Sequence, residues 1–185
     1  MRLLVSLVLA FLSSVAWGDE ELWDLLASKE NVVVVMRHAH AADGDPLVWD
    51  ETGNCRGERV LTEKGKAHAR SLAERFASYG ITPVVISSPM CRCLETVEIA
   101  FGVEPITDPV LREVASADAE RIVAFETEAR TLLTRHRGVR PVVFASHRPN
   151  INLLTLELID TEDMLVGQID ENGEIDVLGK ITLHP

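Results

Sequence analysis

The segment Asn31–His40, NVVVVMRHAH, holds four consecutive valines and a methionine before it breaks into Arg37, His38 and His40. An unbroken apolar run of this length suits a strand buried on both faces, as in a parallel sheet covered by helices. Its break sets a guanidinium beside an imidazole where the strand ends. Ligands of such sheets bind beyond the carboxyl ends of the strands. Arg37 and His38 are therefore candidate site residues, with His38 a candidate nucleophile for phosphoryl groups.

Outward from this strand, residues 19 to 30 suit a short acidic helix leading into it, and Ala41 to Arg59 form a long polar segment with no clean period. Loops of that length are often functional. Thr62 suits the cap of a helix to about Tyr79, because Ala69, Leu72, Ala73 and Phe76 make one apolar stripe and Gly80 follows. Pro83 to Ile86 reads as a short strand, Cys91 to Phe101 as a helix stopped by Gly102, and Ile106 to Leu111 as including a brief strand. A third helix from about Ala119 to Arg135 turns Ile122, Phe125, Ala129, Leu132 and Leu133 inward, and Pro141 to Ala145 is a second buried-type strand. Asn150 to Leu156 suits a helix, and Asn172-Gly173 between two alternating segments signals a C-terminal hairpin. Alternation of strand and helix predicts an α/β fold, a three-layer α/β/α sandwich on a largely parallel central sheet. Arg92, Glu113 and His147 then fall after successive strands, on the same edge as Arg37 and His38.

Composition narrows the function. The 185 residues carry 29 Asp and Glu against 18 Lys and Arg, a net charge of −11. That balance disfavours nucleic acid and anionic membrane surfaces, which want basic patches. An anionic substrate must instead be attracted by a local cluster of arginines, against the long-range field. Residues 1–18, with Arg2, an apolar run from Leu3 to Leu12 and small residues at Ala16 and Gly18, read as a secretory signal. About ten apolar residues are too few to span a bilayer, so no membrane anchor is expected after cleavage. The mature domain, 19–185, then keeps 17 basic and 29 acidic residues, near −12. Its three cysteines, Cys55, Cys91 and Cys93, suggest one disulfide and one spare thiol in an exported, periplasmic or secreted chain. Their spacing departs from structural zinc sites, and no metal is expected.

Met36-Arg37-His38-Ala39, Leu61-Thr62-x-x-Gly65, Ser87-Ser88-Pro89 through Arg92 and Thr96, and Ala145-Ser146-His147 occur in this order over residues 31–150. The set resembles the histidine phosphatase superfamily, with its phosphoglycerate-mutase-like fold, and Cys55 with Cys91-Arg92-Cys93 resembles small exported bacterial members. The resemblance implies a metal-independent and cofactor-free phosphatase for a small phosphorylated substrate, acting through a phosphohistidine on His38. Arg37, Arg92 and His147 would bind the phosphate, His147 best when protonated. A carboxylic acid would protonate the leaving oxygen, and Glu113 matches its position best, with Asp43, Asp45 and Asp50 as alternatives if the long loop folds over the site. His40, His68 and His136 are expected at the surface. Arg148 stands where many relatives carry Gly, which adds positive charge near the pocket and makes it a further candidate substrate contact, and no Asp follows the second histidine directly, so the phytase-like acid is absent. A disulfide from Cys55 to Cys91 or Cys93 would pin the 41–59 loop beside the pocket. Arg56 or Arg59 would then contact the substrate beyond its phosphate. Export argues against a mutase, which it would separate from glycolytic substrates. A catalytically inactive phospho-ligand binder or scaffold on the same fold is the alternative.

Overall fold

A computed structural model describes residues 18–184, so the expected leader lies, Gly18 apart, outside the described residues. The valine run forms β1 (Val32–Arg37), and its alternate side chains enter two different cores. Val32, Val34 and Met36 pack with Leu22, Trp23 and Leu26 of α1 (Asp19–Ser28), Leu72 and Phe76 of α2 (Glu63–Ser78), and Val97 and Ala100 of α3 (Cys91–Phe101). Val33 and Val35 pack with Phe125, Ala129, Leu132 and Leu133 of α4 (Ala119–His136), and with Ile151 and Leu154 of α5 (Arg148–Thr155). A strand apolar from Val32 to Met36 thus separates two helical layers, the expected three-layer sandwich. Ile122, expected inward, is only half-buried.

The remaining strands are β2 (Val84–Ser87), β3 (Ile106–Thr107), β4 (Val142–Ser146), β5 (Asp163–Ile169) and β6 (Ile175–Thr182), in the order β3-β2-β4-β1-β5-β6. The first four are parallel; β5 runs antiparallel to β1 and forms the expected hairpin with β6. Register brings the strand ends level: Arg37 pairs with Ser146, and Ser87 with Ala145. The next residues extend the ladders, His38 N donating to Ser146 O and Ser88 N to Ala145 O, each at 3.0 Å.

The Leu61-Thr62-x-x-Gly65 segment docks α2 on this edge. Thr62 caps the helix by accepting from Gly65 N, and its own N donates to His40 O at 3.0 Å. A Cβ on Gly65 would stand 2.1 Å from His40 O, a main-chain atom that cannot swing aside. Alanine in a first helical turn normally improves a helix. Here Gly65→Ala is expected to cost about 1–3 kcal/mol as overpacking and to lower kcat by displacing the segment that holds His38. Thermal unfolding and steady-state kinetics check both.

Candidate active site

Four polar side chains meet beyond the strand ends. His38 and His147 are both buried, with ring centroids 5.5 Å apart. His38 Nδ1 lies 2.8 Å from Ala39 O; a carbonyl only accepts, so Nδ1 carries the proton and Nε2 keeps its lone pair. Behind this ring, Ala39 N donates to Thr96 Oγ1 at 3.0 Å, and Thr96 Oγ1 donates to Arg92 O at 2.6 Å. Burial, with the Arg92 and Arg37 charges adding to it, lowers the His38 pKa to about 3. The ring is a neutral, oriented nitrogen base.

Arg92 is fully buried at the start of α3. Its Nη2 donates to Glu113 Oε2 at 2.5 Å, Pro46 O at 3.0 Å and His147 Nδ1 at 3.2 Å. A guanidinium has no acceptor, so His147 Nδ1 is unprotonated, and its Nε2–H donates to Ser88 Oγ at 2.7 Å. Burial and then the Arg92 charge hold His147 well below the usual histidine range. In the free site His147 is therefore neutral. Two donors of Arg92, Nε and Nη1, and Nε of Arg37 are buried without a partner among the described residues. Unsatisfied buried donors of this kind cost about 1–3 kcal/mol each. Burial lowers the pKa of Arg37 itself, with Arg148 and Arg59 also disfavouring its charge and Glu113 favouring it.

Glu113 follows a short 3-10 turn, Pro109–Leu111. Its carboxylate lies 3.7 Å from His147 Nδ1 as well as beside Arg92. Burial raises its pKa, and Arg92 and Arg37 oppose the rise. Asn150 of α5 fastens this segment, accepting from Val114 N at 3.0 Å and donating to Arg112 O at 2.9 Å.

The 41–59 loop does fold over the site, through Pro46, but its aspartates are spent elsewhere. Asp45 accepts from Leu47 N, Asp50 accepts from Thr52 and from Arg56 N, and Asp43 is exposed. Glu58 anchors the loop instead: its carboxylate is buried and accepts from Cys91 N at 2.8 Å and Asp50 N at 2.9 Å. Cys55 bonds to Cys91, with Cα atoms 5.8 Å apart. Cys93 is free and buried, 3.7 Å from His147 Nε2, and burial pushes its thiol up to about 12. It is thus an inert wall of the site.

Of the arginines expected beyond the phosphate, Arg59 is brought to the site. Its charge acts on Arg37, His38, Glu113 and His147, and its Nε donates to Ala42 O at 2.7 Å. Arg56 is exposed, and its charge acts on Asp50. Arg148 pairs with Asp160 and is felt by Arg37. His40 is exposed and His136 half-buried; His68, also expected at the surface, is buried in α2. It lies one turn from Gly65 and Leu72 on the inward stripe, a signal that the 3.6-residue period already carried.

The model of the histidine phosphatase superfamily (branch 1) matches residues 33–141, more than half of the chain. No curated protein sequence matches it. Among solved structures, the protein histidine phosphatase SixA complexed with tungstate is 20% identical, at a TM-score of 0.53 over 82% of this chain and 96% of its own. The open reading frame Rv3214 of Mycobacterium tuberculosis is 17% identical, at a TM-score of 0.59 over 84% of this chain and 99% of its own. A mycobacterial glucosyl-3-phosphoglycerate phosphatase is 16% identical, at a TM-score of 0.53 over 84% and 99%. These likenesses are of fold, and they match the phosphoglycerate-mutase-like sandwich expected from the sequence.

Proposed function

The chain belongs to the histidine phosphatase superfamily, branch 1, and we propose that it hydrolyses a phosphomonoester by way of a phosphohistidine on His38. The observation that carries this reading is the pairing of a neutral, lone-pair-bearing His38 with buried guanidinium donors that have no partner among the described residues. A tetrahedral oxyanion satisfies those donors, and SixA is a relative in fold solved with tungstate, an oxyanion of that shape.

His38 Nε2 attacks phosphorus, and the ester oxygen leaves with a proton from a neighbouring acid. Water then attacks the phosphohistidine, splitting one hard step into two easier ones. Arg37 and Arg92 act as charged forks on the phosphate oxygens, as phosphoryl transfer requires positioning and charge more than covalent help. His147, neutral when the site is free, gains a proton more readily once a dianion is bound. Glu113 is the acid: phosphate competes for Arg92, and the carboxylate it frees takes up a proton in its buried setting. Arg59 lies within electrostatic reach of this phosphate.

The Cys55–Cys91 disulfide fits an oxidising compartment. Together with residues 1–18 it supports an exported, periplasmic or secreted enzyme. No helix among the described residues is long and apolar enough to cross a membrane.

Turnover of a generic aryl phosphate by the mature protein, inhibited by tungstate, tests the reading. Saturable phosphate binding without turnover of any ester would mark an inactive binder instead. Glu113 adds a pH dependence. A raised pKa means the acid is present at low pH and lost as pH rises through that value, while His38 is neutral throughout above about 3. Activity on alkyl phosphates is expected to fall on the alkaline side. In Glu113→Gln, alkyl ester turnover drops by about 10²–10⁴-fold, the usual range for a general acid, and the alkaline limb disappears. An aryl ester with a good leaving group loses far less.

A further inference from the structure

Asn150 is fully buried, and its side-chain amide is committed to the two residues that flank Glu113. Oδ1 accepts from Val114 N at 3.0 Å, and Nδ2 donates to Arg112 O at 2.9 Å. A residue in a parallel ladder meets its partner in the same way, bonding the carbonyl before that partner and the amide after it. The Asn150 amide is thus a single rung of sheet laid against Glu113, on a segment that belongs to no strand. Bonds on both sides of one residue fix its place and its direction together. The amide fits in one orientation only, because turning it over would set carbonyl against carbonyl and N–H against N–H.

Glu113 needs such a clamp when its other restraint is taken away. In the free site Arg92 Nη2 donates to the Glu113 carboxylate at 2.5 Å. A bound phosphate draws on the same guanidinium, so this tether slackens as the ester arrives. The bonds of Asn150 run to main-chain atoms and do not draw on Arg92, so they hold in the loaded site as in the free one. Arg121 of α4 adds a longer bond, from Nη2 to Arg112 O at 3.2 Å. Asn150 lies three residues beyond His147, one turn along α5. His147 takes its own place from Ser88 and Arg92. One helical turn therefore carries a histidine of the phosphate pocket and the clamp of the acid, each set by separate partners.

We propose that Asn150 is the positioning residue of the general acid, holding the Glu113 carboxyl at the leaving oxygen while phosphate occupies Arg92. The proposal deepens the reading of Glu113 as that acid and rests on it. In this role Asn150 touches neither the ester nor phosphorus and acts through Glu113 alone. Its loss is felt by esters whose leaving oxygen needs a proton, and little by those whose leaving group departs without one. A catalytic group displaced by about 1 Å costs about 10²-fold in rate.

The test is a kinetic double-mutant cycle on the mature protein, with an alkyl phosphate and an aryl phosphate of good leaving group as substrates. Asn150→Leu, of similar shape without polar atoms, removes both hydrogen bonds. It is expected to lower kcat on the alkyl ester by about 10²-fold. In the Glu113→Gln background the same substitution costs nothing further, because the group it positions is gone. The aryl ester loses far less, and KM and inhibition by tungstate stay near their wild-type values, since the phosphate pocket is intact. Should Asn150→Leu fail to fold, Asn150→Ser, polar but too short to reach both flanks, carries the test with the same expected pattern. An alkyl-ester loss that recurs in the Glu113→Gln background, or that the aryl ester matches, makes Asn150 a part of the scaffold only and overturns the proposal. No loss in the Asn150 variants, while Glu113→Gln is selectively impaired, sinks the role of Asn150 alone. Normal alkyl turnover by Glu113→Gln sinks the acid reading and the role of Asn150 with it. Failure of the wild-type protein to hydrolyse either ester overturns the phosphatase reading as a whole, this role included.

Discussion

His38→Ala is expected to lower kcat on an aryl phosphate by at least about 10⁴-fold, the scale on which loss of a covalent nucleophile is felt. The acid-labile, base-stable phosphate adduct trapped from the wild-type protein should vanish with it. Tungstate binding should survive, because Arg37 and Arg92 still offer the donors that lack partners among the described residues. Residual turnover within about tenfold of wild type would mean that another group attacks phosphorus. The same ring leaves a mark on stability. Its folded pKa, about 3, lies below the ordinary 6.5, so the unfolded chain takes up the proton first as pH falls. Folding stability from His38 is complete above about 6.5 and is lost on acidification toward 3, at about 1.4 kcal/mol per unit where only the unfolded state is protonated. His38→Asn removes this component. Its denaturation midpoint should hold up better than that of wild type between pH 6 and pH 4, a range that urea titrations can cover.

The features legible in the sequence are those whose cause is local. The valine run, the Thr62 cap, the Gly80 and Gly102 stops and the Asn172-Gly173 turn each depend on a few neighbouring residues, and each lies where expected. The gathering of Arg37, His38, Arg92 and His147 at one edge was legible too, because each follows a strand that β-topology must align. What stayed open is decided by contacts across long separations. Cys91 and Cys93 are two residues apart on α3, about 200° around the helix, so one faces the loop and Cys55 while the other faces His147. Only the packed helix chooses between them. Arg56 and Arg59 sit in an irregular loop with no period from which a direction could be read. The state of His147 depends on Arg92 from one side and Ser88 from the other. Glu113 had no local signal, since its place is set by Arg92 and by Asn150, which fastens its segment. Thr96 and Ser88 belonged to a motif without a role, and their hydrogen bonds to Ala39 and His147 supply one.

Replacing Arg92 should separate what the residue does for the fold from what it does for the reaction. Arg92 is fully buried, and its partner Glu113 is nearly so. Removing one member of a buried pair leaves the other charge uncompensated, at a cost of about 3–5 kcal/mol. Arg92→Met is therefore expected to be strongly destabilised near neutral pH. Glu113 can escape by taking a proton: without Arg92 its pKa, already raised by burial, rises further. The folded state then binds a proton more tightly than the unfolded one. Its stability is retained at low pH and lost as pH rises through the folded pKa, so the deficit of Arg92→Met against wild type should shrink on acidification. Arg92→Met/Glu113→Gln removes both charges, leaving an amide where the ion pair stood, and should recover much of the lost stability at pH 7. Activity should not follow. A transition-state donor of this kind is worth about 10²–10³-fold, and the double variant still lacks it, together with the acid. A double variant that regained turnover with stability would reduce Arg92 to a structural cation and leave Arg37 as the phosphate anchor. If stability failed to recover while activity stayed low, the hydrogen bond from Arg92 to Pro46, rather than the ion pair, would be what holds the loop over the site.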